Sequence, residues 1–200
     1  MKKKVKVPSH DELIDRVKLE GDVEYFFDRA CFDKITRDKL YLIGYLDAPA
    51  SKGHHLAEPM GLARHSVNVT QWLLKLTNAG VVRWDASESP YRIGMLHDLV
   101  KCKCYAVDPQ CSLVDPVRYV YRQTGYVGHG AASALIAMSD LGICLSPVEC
   151  ACIVHHMGAF GLDERQLKEY DAALDRWPRE IIATHTADIL AARVDEGGKF

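Results

Sequence analysis

The chain has 200 residues, of which 48% are hydrophobic and 26% are charged; this suits one compact domain with a sizeable core and argues against extended disorder. Its 25 basic and 27 acidic residues give a formal net charge of −2, which argues against a broad basic surface for long nucleic acid or for a membrane. The seven cysteines are odd in number and irregularly spaced, so they predict reduced thiols and a cytoplasmic protein rather than a disulfide framework.

Helical periodicity predominates, and we predict one domain over residues 1–200. Its N-terminal helical segment, residues 1–50, contains a helix from Asp11 to about Ala30 and then a broken stretch that continues past residue 50. In the core, about residues 50–195, further helices are predicted at Gly61 to about Asn78, Tyr91 to about Val100, His129 to Leu141, Ser146 to Met157, about Glu164 to Leu174, and Arg179 to about Arg193.

The segment from Cys104 to Tyr126 is the least helical part of the sequence. It holds several prolines and a run rich in β-type residues, Val117 to Arg122, which predicts a short hairpin or a loop that covers a site. Together the elements predict an all-α helical bundle of six or seven helices with one irregular insertion.

Two aspartates lie in apolar helical stretches. Asp98 directly follows His97 at the end of one apolar run, and Asp188 lies within another. Aspartate is costly to bury unless it is paired or binds a metal ion. Adjacent helical residues point about 100° apart, so a single ion would not naturally take both members of His97-Asp98. Two neighbouring ions could, with Asp98 bridging them, and such a pair suits phosphoryl hydrolysis.

Five separate histidine and aspartate elements occur in the order H…HD…H…HH…D, and in this the sequence resembles the HD-domain superfamily of metal-dependent phosphohydrolases, in particular its two-metal members. The resemblance covers about residues 50–195. It implies an HD-domain bundle with two divalent metal ions, which could be Mn, Fe, Ni, Mg or Zn. The implied ligands of the first ion are His65, His97, Asp98 and Asp188, and those of the second are Asp98, His129, His155 and His156.

The resemblance also implies an activity. A metal-activated hydroxide would attack a nucleotide or another small phosphoester, with Asp98 anchoring the metals and Lys101 contacting the substrate phosphate. The glycine-tyrosine-proline element of cyclic-dinucleotide phosphodiesterases is absent after the histidine pair, which argues against that substrate. We expect no membrane or long nucleic acid as a partner, and a homo-oligomer is compatible with the sequence.

Three alternatives stay open. The segment Lys52-Gly-His-His ahead of Gly61-Leu is similar to HD-domain 3′→5′ exoribonucleases, so short oligonucleotides are an alternative substrate, although the first fifty residues lack the strand-rich pattern of a nucleic-acid-binding module. An HD-fold di-iron oxygenase is the second, because imidazole and carboxylate accept several first-row metals. The third is a non-catalytic module that binds a metal or a nucleotide.

Several other side chains have two interpretations each. His54 and His55 are either solvated loop residues or substrate contacts. His185 is expected to be structural, although it lies near the Asp188 face of its helix. The run from Arg118 to Arg122 interleaves cations with aromatic rings, which fits an exposed strand and also fits stacking on a nucleobase.

Overall fold

The computed structural model describes residues 9–111 and 117–197. Within these ranges 60% of the residues are helical and 3% are in strands, which confirms the all-α class. The helices are α1 (His10–Arg29), α2 (Lys34–Leu42), α3 (Gly61–Asn78), α4 (Ser89–Leu96), α5 (Lys101–Cys104), α6 (His129–Leu135), α7 (Pro147–His155), α8 (Glu164–Arg176) and α9 (Pro178–Leu190). α6 and α9 run on into π-helical turns at Ile136–Asp140 and Ala191–Asp195.

Reciprocal hydrogen bonds fix the start of three of these helices, α1, α7 and α8. The Ser9 side chain accepts from the backbone N–H of Glu12, and the Glu12 carboxylate accepts from the backbone N–H of Ser9. Ser146 and Glu149 form the same capping box at α7, with Pro147 in the first turn. The local sequence therefore sets these starts, as the helix-start pattern at Ser146 predicts.

Helix α2 corrects the prediction of a broken stretch after Ala30. Asp33 caps the helix by accepting a hydrogen bond from the backbone N–H of Thr36, and Leu40 is fully buried in the core. Nine residues with a single buried apolar position are too few to show a helical repeat. A second difference lies in the helix predicted from Tyr91, which ends at Leu96.

The predicted hairpin is present and follows α5 without a loop. β1 (Tyr105–Val107) pairs antiparallel with β2 (Tyr119–Tyr121), and Tyr105 stands opposite Tyr121. Residues 112–116 of the predicted insertion lie outside the described residues. Because α5 is a single turn, the hairpin begins only seven residues after Asp98.

Helix α3 lies between two hydrophobic clusters. Leu62 belongs to the larger cluster, together with Phe27 of α1. Leu73, three turns further along α3, belongs to the second cluster with Ile181 of α9. His65 is therefore held in the helix that both clusters immobilise. Among the described residues, no helix is long and apolar enough to cross a membrane.

Two glycines allow helices to approach closely near the predicted metal ligands. A Cβ on Gly94 of α4 would lie 2.2 Å from Thr70 Oγ1 of α3, and a Cβ on Gly130 of α6 would lie 2.3 Å from the backbone oxygen of Val154 in α7. Such distances are shorter than van der Waals contact, so only glycine fits without a shift. The first contact joins the helices around His65 and His97, and the second joins those around His129 and His156.

We expect Gly130→Ala to destabilise the fold by about 1–3 kcal/mol, because the added methyl group meets backbone atoms that cannot rotate away. Gly21→Ala in α1 is the matched control, since a Cβ there has nothing within 4 Å. Alanine in place of a glycine inside a helix should stabilise the protein by about 0.5–1 kcal/mol. Urea unfolding would measure both values; equal stability of the two variants would contradict the proposed close approach.

Candidate metal centre

Six of the seven predicted ligands meet at one place inside the bundle. Helix α3 supplies one of them, the turn after α4 supplies two, and α6, the end of α7 and α9 supply one each. In chain order they are His65, His97, Asp98, His129, His156 and Asp188.

The carboxylate of Asp98 lies at the centre and turns one oxygen to each side. Its Oδ2 is 3.5 Å from His65 Nε2 and 3.4 Å from His97 Nε2. Its Oδ1 is 3.5 Å from His156 Nε2 and accepts a hydrogen bond from His129 Nε2. Each oxygen therefore faces its own pair of imidazoles, which is the arrangement that a bridging carboxylate requires.

Asp188 extends the group on the Oδ2 side of Asp98. Asp188 Oδ1 lies 3.0 Å from His65 Nε2 and 4.0 Å from His97 Nε2. The two histidine Nε2 atoms are only 3.3 Å apart. Two ring nitrogens and two carboxylates thus surround one small volume. The adjacent His97 and Asp98 both face it, contrary to the expectation from regular helix geometry, because they lie in the turn after α4.

Backbone carbonyls fix the orientation of two histidine rings. His97 Nδ1 donates to the carbonyl of Gly94 at 2.9 Å, and His156 Nδ1 donates to that of Ile153 at 2.7 Å. A carbonyl can only accept, so the proton must be on Nδ1 and the lone pair on Nε2 when the ring is neutral. His156 Nε2 is buried without a hydrogen-bond partner among the described residues. Both rings therefore direct Nε2 toward Asp98, as expected for histidines whose Nε2 binds a metal ion.

Asp98 and Lys101 each favour the ionised form of the other. Lys101 forms an ion pair with Asp98 Oδ2, and both side chains are largely buried, Asp98 with 3% exposure. Burial raises the pKa of Asp98, but Lys101, His97 and His129 outweigh burial and hold that pKa well below its ordinary value. Burial lowers the pKa of Lys101, and Asp98 more than compensates, so this pKa is raised. The carboxylate consequently stays ionised in a site with little water.

The pKa values of Asp188 and of the two histidines beside it are shifted as well. Burial raises the pKa of Asp188, but the hydrogen bond and the charge of His65 bring it below its ordinary value. Burial lowers the pKa of His65, whereas hydrogen bonds with Asp188 and Glu196 raise it to about 9. The pKa of His97 is lowered, chiefly by burial. A metal ion at His65 would thus replace a proton on Nε2.

His155 is the one predicted ligand that the structure does not bring to this centre. Its ring packs against Tyr170 of α8, with centroids 5.4 Å apart, because it precedes His156 by one residue and adjacent helical side chains point about 100° apart.

His185 has the structural role expected of it, since its Nδ1 donates to the backbone carbonyl of His156 at 2.7 Å.

Glu196 is not among the predicted ligands, yet its carboxylate contacts the cluster from behind His65. It lies eight residues after Asp188, beyond the π-helical turn, and is 1% exposed. His55 lies next to it, with Nε2 3.6 Å from Glu196 Oε2, so of the loop pair His55 is near the centre while His54 is exposed. Its spacing of two helical turns after Asp188 is visible in the sequence, but its burial, which sets it apart from other acids, is visible only in the structure.

Among the described residues, three overlapping groups have donor atoms that all lie within 4.8 Å of one another, and each could hold a metal ion. Two of them contain Asp98, with His65 and His97 on one side and with His129 and His156 on the other; the third, behind His65, is His55, His65 and Glu196. Imidazole and carboxylate donors fit first-row divalent metals such as Mn²⁺, Fe²⁺ and Zn²⁺. Comparisons of the chain with protein-family models, with curated proteins and with solved structures found no match.

The adjacent pair His155 and His156 offers a direct test of this centre. We expect His156→Ala to lower the affinity for Mn²⁺ or Zn²⁺ by more than about tenfold, at least as much as the loss of a residue that only supports a ligand. His155→Ala should bind metal as the wild type does, because its ring contacts Tyr170. Calorimetric titration of the metal-free proteins would measure both.

Thermal unfolding without metal would show that both variants are folded. Equal loss of metal in the two variants would contradict the placement of His155, and unchanged binding in His156→Ala would remove His156 from the centre.

Proposed function

We propose that this protein is a metal-dependent phosphohydrolase acting on a nucleotide or another small phosphoester. The observation that carries the proposal is the position of Asp98, with one carboxylate oxygen facing His65 and His97 and the other facing His129 and His156. Two divalent ions held on the two sides of such a carboxylate lower the pKa of a shared water and stabilise charge on the attacking and leaving oxygens of a phosphate ester.

The side chains around Asp98 are held in place before any substrate arrives. His97 and His156 are fixed by backbone carbonyls, and His65 by the carboxylate of Glu196. Such preorganisation matters because ligands that need not reorient cost no free energy during the reaction. His129 is the most exposed of the six, with 36% of its side chain accessible, so its side of the centre is the side from which substrate enters.

Lys101 is proposed to contact the substrate phosphate. Its ammonium group is paired with Asp98 Oδ2 and lies in the electrostatic field of Asp188. An ammonium group has three N–H donors and can contact a phosphate oxygen while it remains beside a carboxylate. In this role Lys101 offsets the negative charge that phosphate brings into a site already rich in carboxylates.

The hairpin supports a nucleotide as the substrate. Tyr105 follows Lys101 by one turn, and burial raises the pKa of its hydroxyl, with Lys101 and Asp98 among the charges that act on it. The ring of Tyr121 stands edge-on to that of Tyr105, with centroids 6.4 Å apart, and Tyr121 is 65% exposed. Tyr105 is half-buried and Tyr121 is exposed, so the pair of rings reaches solvent, where a base could stack.

Hydrolysis assays test the proposal. We expect the protein to hydrolyse members of a panel of phosphomonoesters, phosphodiesters, nucleotides and short oligonucleotides with Mn²⁺, and to be inactive with chelator. Asp98→Ala should reduce kcat/KM by about 100-fold or more, because it removes a donor from the two metal groups that contain Asp98 and metal ions supply several kcal/mol of transition-state stabilisation.

The preferred ester would separate the two hydrolase alternatives, since turnover confined to oligonucleotides would favour the exonuclease. Absence of turnover with every phosphoester, from protein that carries metal, would overturn the proposal. Iron content and oxygen consumption would then test the di-iron oxygenase.

A second experiment tests the two tyrosines. We expect Tyr121→Ala to raise KM for a nucleotide about fivefold or more with little change in kcat, because base stacking contributes about 1–3 kcal/mol and the Tyr121 ring lies in the hairpin against that of Tyr105. Tyr121→Phe should preserve the ring and the KM.

Val107→Ala is the control within the hairpin, since Val107 is exposed and pairs with Tyr119. The KM for glycerol phosphate, which has no ring, should be equal in all of these variants. An equal rise of KM for both substrates in Tyr121→Ala would contradict base stacking.

A further inference from the structure

The carboxylate of Glu196 holds His65 from the side opposite the metal centre. Its two oxygens lie 3.0 and 3.1 Å from His65 Nδ1, and Oε1 also accepts a hydrogen bond of 2.9 Å from Asn68 Nδ2. An ionised carboxylate can only accept, so His65 must carry a proton on Nδ1. The lone pair of the neutral ring is then on Nε2, which faces Asp98 and Asp188.

A π-helical turn brings Glu196 to this position. The turn Ala191–Asp195 continues α9, and the backbone N–H of Glu196 donates to the carbonyl of Ala191 at 3.1 Å. The preceding residue, Asp195, accepts a hydrogen bond of 2.7 Å from Trp72 Nε1 on α3. Two successive carboxylates therefore bind to α3, one near solvent and one inside the protein.

We propose that Glu196 is the positioning residue for His65 in the metal centre. This inference rests on His65 serving as a metal ligand, as in the proposed function. The carboxylate fixes the Nδ1–H tautomer and sets the rotation of the ring. By accepting the hydrogen bond from Nδ1–H, it also makes Nε2 a more basic metal ligand. It acts on the group that contains His65 and His97, and it leaves the donors of His129 and His156 unchanged.

Its burial distinguishes this contact from an ordinary surface ion pair. The Glu196 and His65 side chains are each 1% exposed, so water does not compete for their hydrogen bond. The nearby His55 Nε2, at 3.6 Å from Glu196 Oε2, has no hydrogen-bond partner among the described residues. Glu196 thus offers both oxygens to His65 and one of them also to Asn68.

Titration of metal-free protein with Co²⁺ tests the proposal, with the visible absorption bands reporting the ligands. We expect the wild type to bind in two phases. Glu196→Ala should weaken one phase by about 10–100-fold, the range observed when a residue that supports a ligand is lost, and leave the other phase unchanged. Glu196→Gln, which retains an oxygen acceptor but not the charge, should be intermediate.

Asp195→Asn is the matched control, because it changes a carboxylate of the same turn that bonds Trp72 rather than a ligand. It should bind Co²⁺ as the wild type does, even if its melting temperature falls. Partial rescue by glutamine and selective loss of one phase are results that a merely structural residue would not give.

The outcomes separate this inference from the proposed function. Absence of Co²⁺ binding by the wild type would overturn both. Two wild-type phases with unchanged binding in Glu196→Ala would overturn the role of Glu196 and leave the proposed function standing. A third bound ion, lost in Glu196→Ala, would show that Glu196 is itself a ligand together with His55 and would also overturn the positioning role.

Discussion

The carboxylate of Asp98 must keep its negative charge in a place that water hardly reaches, and the rest of the centre is arranged around that requirement. Burial alone would favour the neutral acid. Lys101 and four imidazoles surround the group instead, so its charge is balanced from several directions. These partners come from different helices, and a buried ion must be matched in geometry as well as in charge. The packing of the helices therefore determines whether the charge of Asp98 is balanced.

Much of this arrangement was predictable because it is local or depends on order along the chain. The capping pattern at Ser146 and the pairing of His97 with Asp98 are visible in a few consecutive residues. The choice between His155 and His156 was not predictable. Their side chains point about 100° apart, and which of them faces the centre depends on where the neighbouring helices lie. Helix α2 was missed for another reason: it buries only Leu40, and one apolar position defines no period.

Glu196 illustrates a third kind of limit. A regular α-helix repeats its faces every 3.6 residues, and projection from Asp188 on that period does not allow for the wider turn at Ala191–Asp195. The amino-acid composition of that turn does not predict a π-helix. Its role becomes clear only from tertiary contacts, because Trp72, Asn68 and His65 of α3 present one continuous row of donors to the end of α9.

The π-helical turn has a consequence for how the chain tolerates insertions and deletions. A π-helical turn contains about one residue more than an α-helical turn. Removing one residue from Ala191–Asp195 would therefore leave a regular α-helix whose local stability is at least equal. The next carboxylate would then be rotated by about 100° and would no longer meet α3 beneath His65. The length of this segment, more than the identity of its side chains, is thus the property that the centre requires, and a chain shortened there could fold normally and still lack a properly oriented histidine.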